Sequence, residues 1–305
     1  MKIPELRSPY EKVGGIVYFG RMIDKIRLHE AGQLPPEYIE YLGAADAFDG
    51  RCCRFLNIDY AELSAAALAG ADEKELLEEA YRSGRKPSEA EIEIWNAFMQ
   101  KRGWRDEASA WLAERKRMAG IVSGAVLTSF DFLDADEDRP LRFGPDPAPN
   151  LQEVKPTVSI PGLRSPYVKT EGIYHFARMV DKIRLAEEGN LPGEWLEANG
   201  SVNGFDGLCC RFMEVEYSAL KERVLGGGTE AEAIQWAFSQ GRKPLDEEVE
   251  IWNAYLSKRS WRDQFIPRLH FRLQQAGMPL EAVSTMFDFI DRDEGRNLHL
   301  NFFDY

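Results

Sequence analysis

The densest chemistry in this 305-residue chain lies in two eight-residue segments, RMIDKIRL at Arg21–Leu28 and RMVDKIRL at Arg178–Leu185. Arg21, Asp24 and Arg27 are spaced by three, so a helix sets them in one row with Lys25 beside it. Arg178, Asp181, Lys182 and Arg184 repeat the arrangement. A carboxylate orienting two guanidinium forks suits recognition of a carboxylate or phosphate. The competing reading is a row of ion pairs on a solvated helix, which contributes little stability.

Two further motifs supply cations and rings. In GRKP (Gly84–Pro87 and Gly241–Pro244) the glycine ends one helix and the proline opens the next. Arg85 and Arg242 then either sit at the carbonyl end of the preceding helix or reach into the anion pocket. KRxWRD sets Trp104 beside Arg105 and Asp106, and Trp261 beside Arg262 and Asp263. Trp among arginines could stack a planar or anionic ligand. Equally, the indole could close the core while Asp106 starts the following helix.

All four cysteines fall in FDGxCCRF as adjacent pairs, Cys52-Cys53 and Cys209-Cys210. With Asp49 as a helix cap, the dipole and Arg54 would lower a thiol pKa and suit a nucleophile or redox sensor. The pairs lack CxxC spacing and the usual zinc spacing. Lying between Phe48 and Phe55, they read first as reduced thiols packed in a core. The acidic ends FDFLDADEDR and FDFIDRDEGR invite a calcium reading. Counted from Asp134, however, the sixth and twelfth places hold Arg139 and Pro145, not the glycine and glutamate of an EF-hand loop. Carboxylates answering the basic rows are the alternative there, and neither a metal nor a cofactor is expected.

His29, His175, His270 and His299 have no histidine counterparts between the copies, which argues against a shared His triad or zinc centre. No Walker loop, dinucleotide fingerprint or GxSxG elbow occurs. The net charge of −13 argues against general nucleic-acid binding. Matching positions of the two copies carry nearly equal numbers of acids and bases, so the acidic surplus belongs mostly to solvated positions that differ.

The two copies align without a gap from Ile3 on Ile160 to Arg139 on Arg296, with roughly half of the pairs identical. The chain therefore divides into a first repeat over 1–139, a proline-rich linker over 140–159, and a second repeat with a tail over 160–305. The aromatic tail NLHLNFFDY suits docking on a surface. The motifs RSPYEKVGG, FDGRCCRF, GRKPSEAEIEIWNAF and KRGWRDEA resemble a bacterial family known as a domain of unknown function, over essentially the whole of each copy. The second copy departs at RSPYVKTEG, FDGLCCRF and KRSWRDQF. The resemblance implies membership and transfers no activity.

The elements that must position these residues are read from hydrophobic spacing. Ile16, Phe19, Ile23 and Ile26 predict a helix from about Gly15 to Ala31. Shorter helices follow over 60–69 and 73–82. Ser88 with Glu91 predicts a capped helix to about Arg102; in the second copy Leu245 replaces that serine and the cap is expected to pass to Asp246. A helix over about 105–119 and a last short one complete the copy, while CCRF suits helix or strand equally. The class is all-α, in two tandem compact multi-helix domains. The 44% apolar and 29% charged composition is that of a globular protein. The lack of an apolar leader or long apolar run predicts a soluble cytoplasmic chain without a membrane span. The leading expectation is a binding protein, not an enzyme, with one pocket per domain for a small anionic ligand. Arg21, Asp24, Lys25, Arg27, Arg85, Trp104 and Arg105, or their counterparts, would line it. A thiol-dependent enzyme and a protein-protein assembly module are the alternatives. The two domains are expected to pack as a pseudo-dimer.

Overall fold

The first helix starts later than its spacing predicts, because Gly14 and Gly15 take φ of +55° and +88° and turn the chain into a hairpin. A computed structural model describes residues 2–148, 150 and 158–298. In it β1 (Lys12–Val13) pairs antiparallel with β2 (Ile16–Val17), Val13 opposite Ile16. Asn96 clamps this hairpin: its Oδ1 accepts from the Val17 amide at 3.0 Å and its Nδ2 donates to the Gly15 carbonyl at 2.8 Å. Tyr18, at φ +73°, then bends the chain into α1 (Phe19–Glu30).

The chain divides into two units, Met1–Asp146 and Pro147–Tyr305. In the first, α1 is followed by α2 (Pro36–Ile39), α3 (Phe48–Leu56), α4 (Tyr60–Leu68), α5 (Glu73–Ser83), α6 (Glu89–Lys101), α7 (Ser109–Met118) and α8 (Ser129–Asp136). The unit is mostly helical. FDGRCCRF is settled as helix, and Ser88 and Glu91 form the expected capping box. The helix expected from Arg105 begins only at Ser109, since Arg105 lies at φ +51° and Asp106 instead accepts the Gly103 and Ala108 amides. The core gathers on α1, where Phe19, Met22 and Ile23 are fully buried and the helix packs on α4.

The second unit repeats this plan: β3 (Lys169–Thr170), β4 (Ile173–Tyr174), α9 (Phe176–Glu187), α10 (Gly193–Ala198), α11 (Phe205–Phe212), α12 (Tyr217–Leu225), α13 (Glu230–Gln240), α14 (Asp246–Ser257), α15 (Ile266–Gln275) and α16 (Met286–Asp293). Asn253 holds this hairpin as Asn96 holds the first. The cap of α14 does not pass to Asp246. Leu245 occupies the N-cap, and Glu248 still accepts from its amide at 2.8 Å. Pro149 and 151–157 of the linker, and the tail from His299 onward, lie outside the described residues. Among the described residues no helix is long and apolar enough to cross a membrane.

The charged row on α1 is not a solvated face. Arg21 and Glu137, each 1% exposed, form a bidentate pair that ties α1 to the residue following α8. Arg21 also donates to the Arg7 carbonyl at 2.7 Å. Asp24 does not orient Arg21 and Arg27; it takes Arg7 in a two-bonded fork at 2.7 and 2.8 Å. Arg27 turns to the Ala71 carbonyl at 2.6 Å. The second unit keeps the scheme, with Arg178 on Glu294, Asp181 on Arg164 and Arg184 on the Gly228 carbonyl.

Removing one partner of such a pair leaves an uncompensated buried charge, which costs about 3–5 kcal/mol. Glu137→Ala is therefore expected to unfold the first unit at markedly lower urea concentration. Arg82→Ala, which breaks an exposed pair with Glu79, should move the midpoint within about 0.5 kcal/mol. Equal midpoints for the two variants would contradict the buried-pair account.

Candidate functional site

Each unit carries a cleft at the same place in the repeat. In the first unit it encloses about 850 Å³ between α1, the chain from Glu37 to Arg51, α7 and α8. Arg21 and Lys25 line it from α1, Tyr38 and Tyr41 from the α2 side, Phe48 and Arg51 from α3, and Trp111, Arg115 and Met118 from α7. Phe132 and Asp136 of α8 and Arg102, beyond α6, complete it. In the second unit the cleft encloses about 920 Å³, and Arg178, Lys182, Phe205, Arg259, Arg272, Phe289 and Asp293 line it at equivalent positions.

Short-range packing shapes the walls. Phe48 and Tyr18 meet at 5.3 Å between centroids, and Phe48 and Phe130 edge-on at 5.4 Å. Arg115 lies over Trp111, 5.6 Å from its centroid, and Arg272 over Phe289 at 5.7 Å. Trp111 is 42% exposed and Met118 66%, so the α7 wall shows apolar surface to solvent.

Paired charges form the floor. Lys25 donates to Asp49 at 2.6 Å, and Asp49 also accepts from the Tyr18 hydroxyl at 2.9 Å and the Gly43 amide at 3.1 Å. Burial pulls the Lys25 ammonium below its ordinary range against the pull of Asp49. Burial likewise opposes the charges of Arg21 and Glu137, but their mutual pairing outweighs it, raising the one and lowering the other. Tyr38 adds a hydroxyl donor to Glu137 at 2.7 Å. Asp49 is thus an inward-facing residue of the first turn of α3, not its cap.

In the second unit His175 stands where the first has Tyr18. Its Nε2 lies 2.8 Å from Asp206, which Lys182 also holds at 2.5 Å. Burial opposes the Asp206 charge, but Lys182 and His175 outweigh it and keep the carboxyl well below the carboxylate range. An ionised Asp206 accepts, so Nε2 carries the proton. Burial lowers the imidazole pKa to about 4 despite that partner.

The structure regroups the residues singled out from the sequence. Arg21, Lys25, Arg178 and Lys182 line the clefts as paired groups. Asp24, Arg27, Trp104 and Arg105, with Asp181, Arg184, Trp261 and Arg262, are not among the lining residues. Arg105 instead lies over Trp104 at 5.1 Å and Arg262 over Trp261 at 4.8 Å. Arg85 does not serve the preceding helix or the cleft. It donates to the Phe55 carbonyl of α3 at 2.8 Å and pairs with Glu91, and Arg242 pairs with Glu214 and Glu248. Gly84 lets the chain approach there, since a Cβ would stand 2.2 Å from the Leu56 carbonyl oxygen. Sequence reasoning placed Arg102 in the KRxWRD motif without bringing it to a cleft, and it missed Arg115, Phe132 and Trp111 of α7. For Arg115 and Phe132 the one signal was retention in the second copy as Arg272 and Phe289.

Cys52, Cys53, Cys209 and Cys210 are buried and free. Burial pushes Cys53 and Cys210 up to about 12, and Cys52 and Cys209 well above the usual thiol range. A thiolate is the nucleophile, and burial holds these groups as neutral thiols at neutral pH. Among the described residues no group of three or more His, Cys, Asp or Glu could hold a metal.

The chain belongs to the family described as Domain of unknown function (DUF5069), whose model matches residues 3–139 and again 160–296. No curated protein and no solved structure matches the chain.

Two solution measurements test these environments. All four thiols should label slowly with a thiol reagent in the folded chain and rapidly after denaturation; fast labelling of the native protein would contradict their burial. His175, with its folded pKa below the unfolded value near 6.5, contributes stability that is complete above pH 6.5 and lost as pH falls toward 4. Asp291, raised to about 6 by burial, works in the opposite sense across part of that range. Comparison of the wild type with His175→Tyr cancels the Asp291 contribution. The wild type should lose on the order of 3 kcal/mol more than the variant between pH 6.5 and 4 in urea unfolding.

Proposed function

Membership of a family without an assigned activity leaves the clefts as the basis for a functional reading, and we propose that each unit is a binding module whose cleft takes a small organic anion with an apolar body. The observation that carries this reading is the recurrence of one cleft in both copies with Phe48/Phe205, Phe132/Phe289, Arg102/Arg259 and Arg115/Arg272 on its walls. A concave, largely apolar pocket with a few convergent polar groups is the usual form of a small-molecule site. The paired floor supports it from below: Arg21 and Lys25 are neutralised by Glu137 and Asp49, so attraction for an anion falls first to Arg115 and Arg272, which lie over rings of the walls. The rings offer a flat apolar ligand both burial and edge contacts.

The two clefts differ in charge. At positions equivalent to the first lining, Asn203 replaces Asp46, Gln264 replaces Glu107 and Arg268 replaces Trp111, against one lost cation where Leu208 replaces Arg51. The second cleft is therefore the more positive by two charges. It favours the more highly charged anions, and the first, with Trp111 and Met118, favours the more apolar ones.

A thermal-shift series on the full chain with benzoate, phenyl phosphate and inorganic phosphate, at constant ionic strength, tests this reading. An anion at a hundred times its Kd adds about 2.7 kcal/mol and raises the melting temperature by several degrees. Phenyl phosphate should shift the wild type more than inorganic phosphate. The double variant Arg259→Ala/Arg272→Ala should lose most of the shift from the second unit. Absence of any anion effect, or an undiminished shift in the variant, would refute the proposal.

A further inference from the structure

Two residues that line the second cleft carry buried polar atoms that have no counterpart in the first copy. His175, 2% exposed, lines that cleft and gives its Nε2 edge to Asp206, while its Nδ1 finds no hydrogen-bond partner among the described residues. Ser260, 3% exposed, lines the same cleft, and its Oγ is likewise unpartnered there. The equivalent residues of the first copy are Tyr18, whose hydroxyl is spent on Asp49, and Gly103, which has no side chain. Buried polar groups are almost always hydrogen-bonded, and each one left unmade is costly.

Ser260 carries a second cost. It sits at φ +77°, where Gly103 sits at φ +97°, and a residue with a Cβ is strained in that left-handed region. The two unmet hydrogen bonds weaken the second unit as a folded body unless a ligand answers them, and the strain at Ser260 remains in either case. The chemistry of the two atoms says which kind. With the proton held on Nε2 by an ionised Asp206, Nδ1 presents a lone pair and only accepts; a serine hydroxyl both donates and accepts. A ligand that satisfies Nδ1 must bring its own O–H or N–H.

We propose that the second cleft is specific for hydroxylated organic anions: the acidic group meets Arg259 and Arg272, and a ligand hydroxyl donates to His175 Nδ1 while Ser260 bonds a neighbouring oxygen. This rests on the anion-binding reading of the clefts and adds the substrate class. His175 and Ser260 are its specificity-determining residues, and the two copies differ in ligand because the first lacks both groups. The first cleft accepts the same acid with or without the hydroxyl.

The experiment compares 3-phenyllactate with 3-phenylpropionate, which lacks only the hydroxyl, by calorimetry and by ¹⁵N NMR of the imidazoles in the full chain. The second site should bind phenyllactate about 3- to 10-fold more tightly, the worth of one buried hydrogen bond, and the His175 Nδ1 resonance should move with phenyllactate alone. His175→Tyr and Ser260→Gly, which install the residues of the first copy, should each reduce the preference. Ser260→Gly should do so in a protein at least as stable as the wild type, which separates lost recognition from lost folding. Equal binding of both acids with unmoved Nδ1 overturns this inference and leaves the anion cleft standing. Binding of neither acid overturns both.

Discussion

The fork between Arg21 and Glu137 closes the first domain on itself, as that between Arg178 and Glu294 closes the second. It joins the first helix to the end of the last across 116 residues, and its partners hold the remaining ends in place. Arg21 reaches the carbonyl of Arg7, Tyr38 bonds Glu137, and Arg139 bridges Glu137, Asp134 and the Leu6 carbonyl. Two buried charges carry a desolvation cost that their attraction offsets only with good geometry and further hydrogen bonds. The arrangement therefore contributes more to uniqueness than to net stability. A register slip of α8 or of the N-terminal segment would strand a charge in the core.

The same constraint explains why the clefts exist. A buried Arg and a buried Lys on successive turns of α1 need carboxylates from elsewhere, and Asp49 and Glu137 bring α3 and the α8 end over that face. The walls that α3, α7 and α8 then form cannot collapse onto α1 without displacing those partners. What is left is a concave surface floored by neutral pairs and rimmed by arginines and rings. Asp134, held by Ser8 at 2.7 Å, and Asp131, held by Tyr10 at 2.7 Å, fix the wall from behind. Ser165, Tyr167, Asp288 and Asp291 do so in the second unit.

Duplication let the two copies share that scaffold while the lining changed. The hairpin clamp, the Arg–Glu fork and the Lys–Asp pair recur residue for residue. Tyr18 against His175, Tyr38 against Trp195, Gly103 against Ser260 and Trp111 against Arg268 all fall on or beside the clefts. These differences alter the shape and charge of the lining over a frame that burial and pairing hold fixed.

The sequence by itself determined the helical class and the duplicated architecture, because periodic apolar spacing, capping boxes and an ungapped repeat are local or additive signals. It marked Arg21, Lys25 and their counterparts as unusual, since both copies keep them. Only the tertiary structure decided what they do. A charged row at helical spacing looks the same from the chain whether it faces water or Glu137, and nothing near Asp24 announces that its partner is Arg7. The hairpin before α1 was hidden for a related reason. Ile16 belongs equally to a helical stripe and to a strand, and the clamp that selects the strand comes from Asn96, far along the chain. The cleft itself was least legible. Arg102, Arg115 and Phe132 are separate in sequence and converge only when α7 and α8 fold over α1. A concave site is a property of how faces meet, and that is settled by packing and not by spacing along the chain.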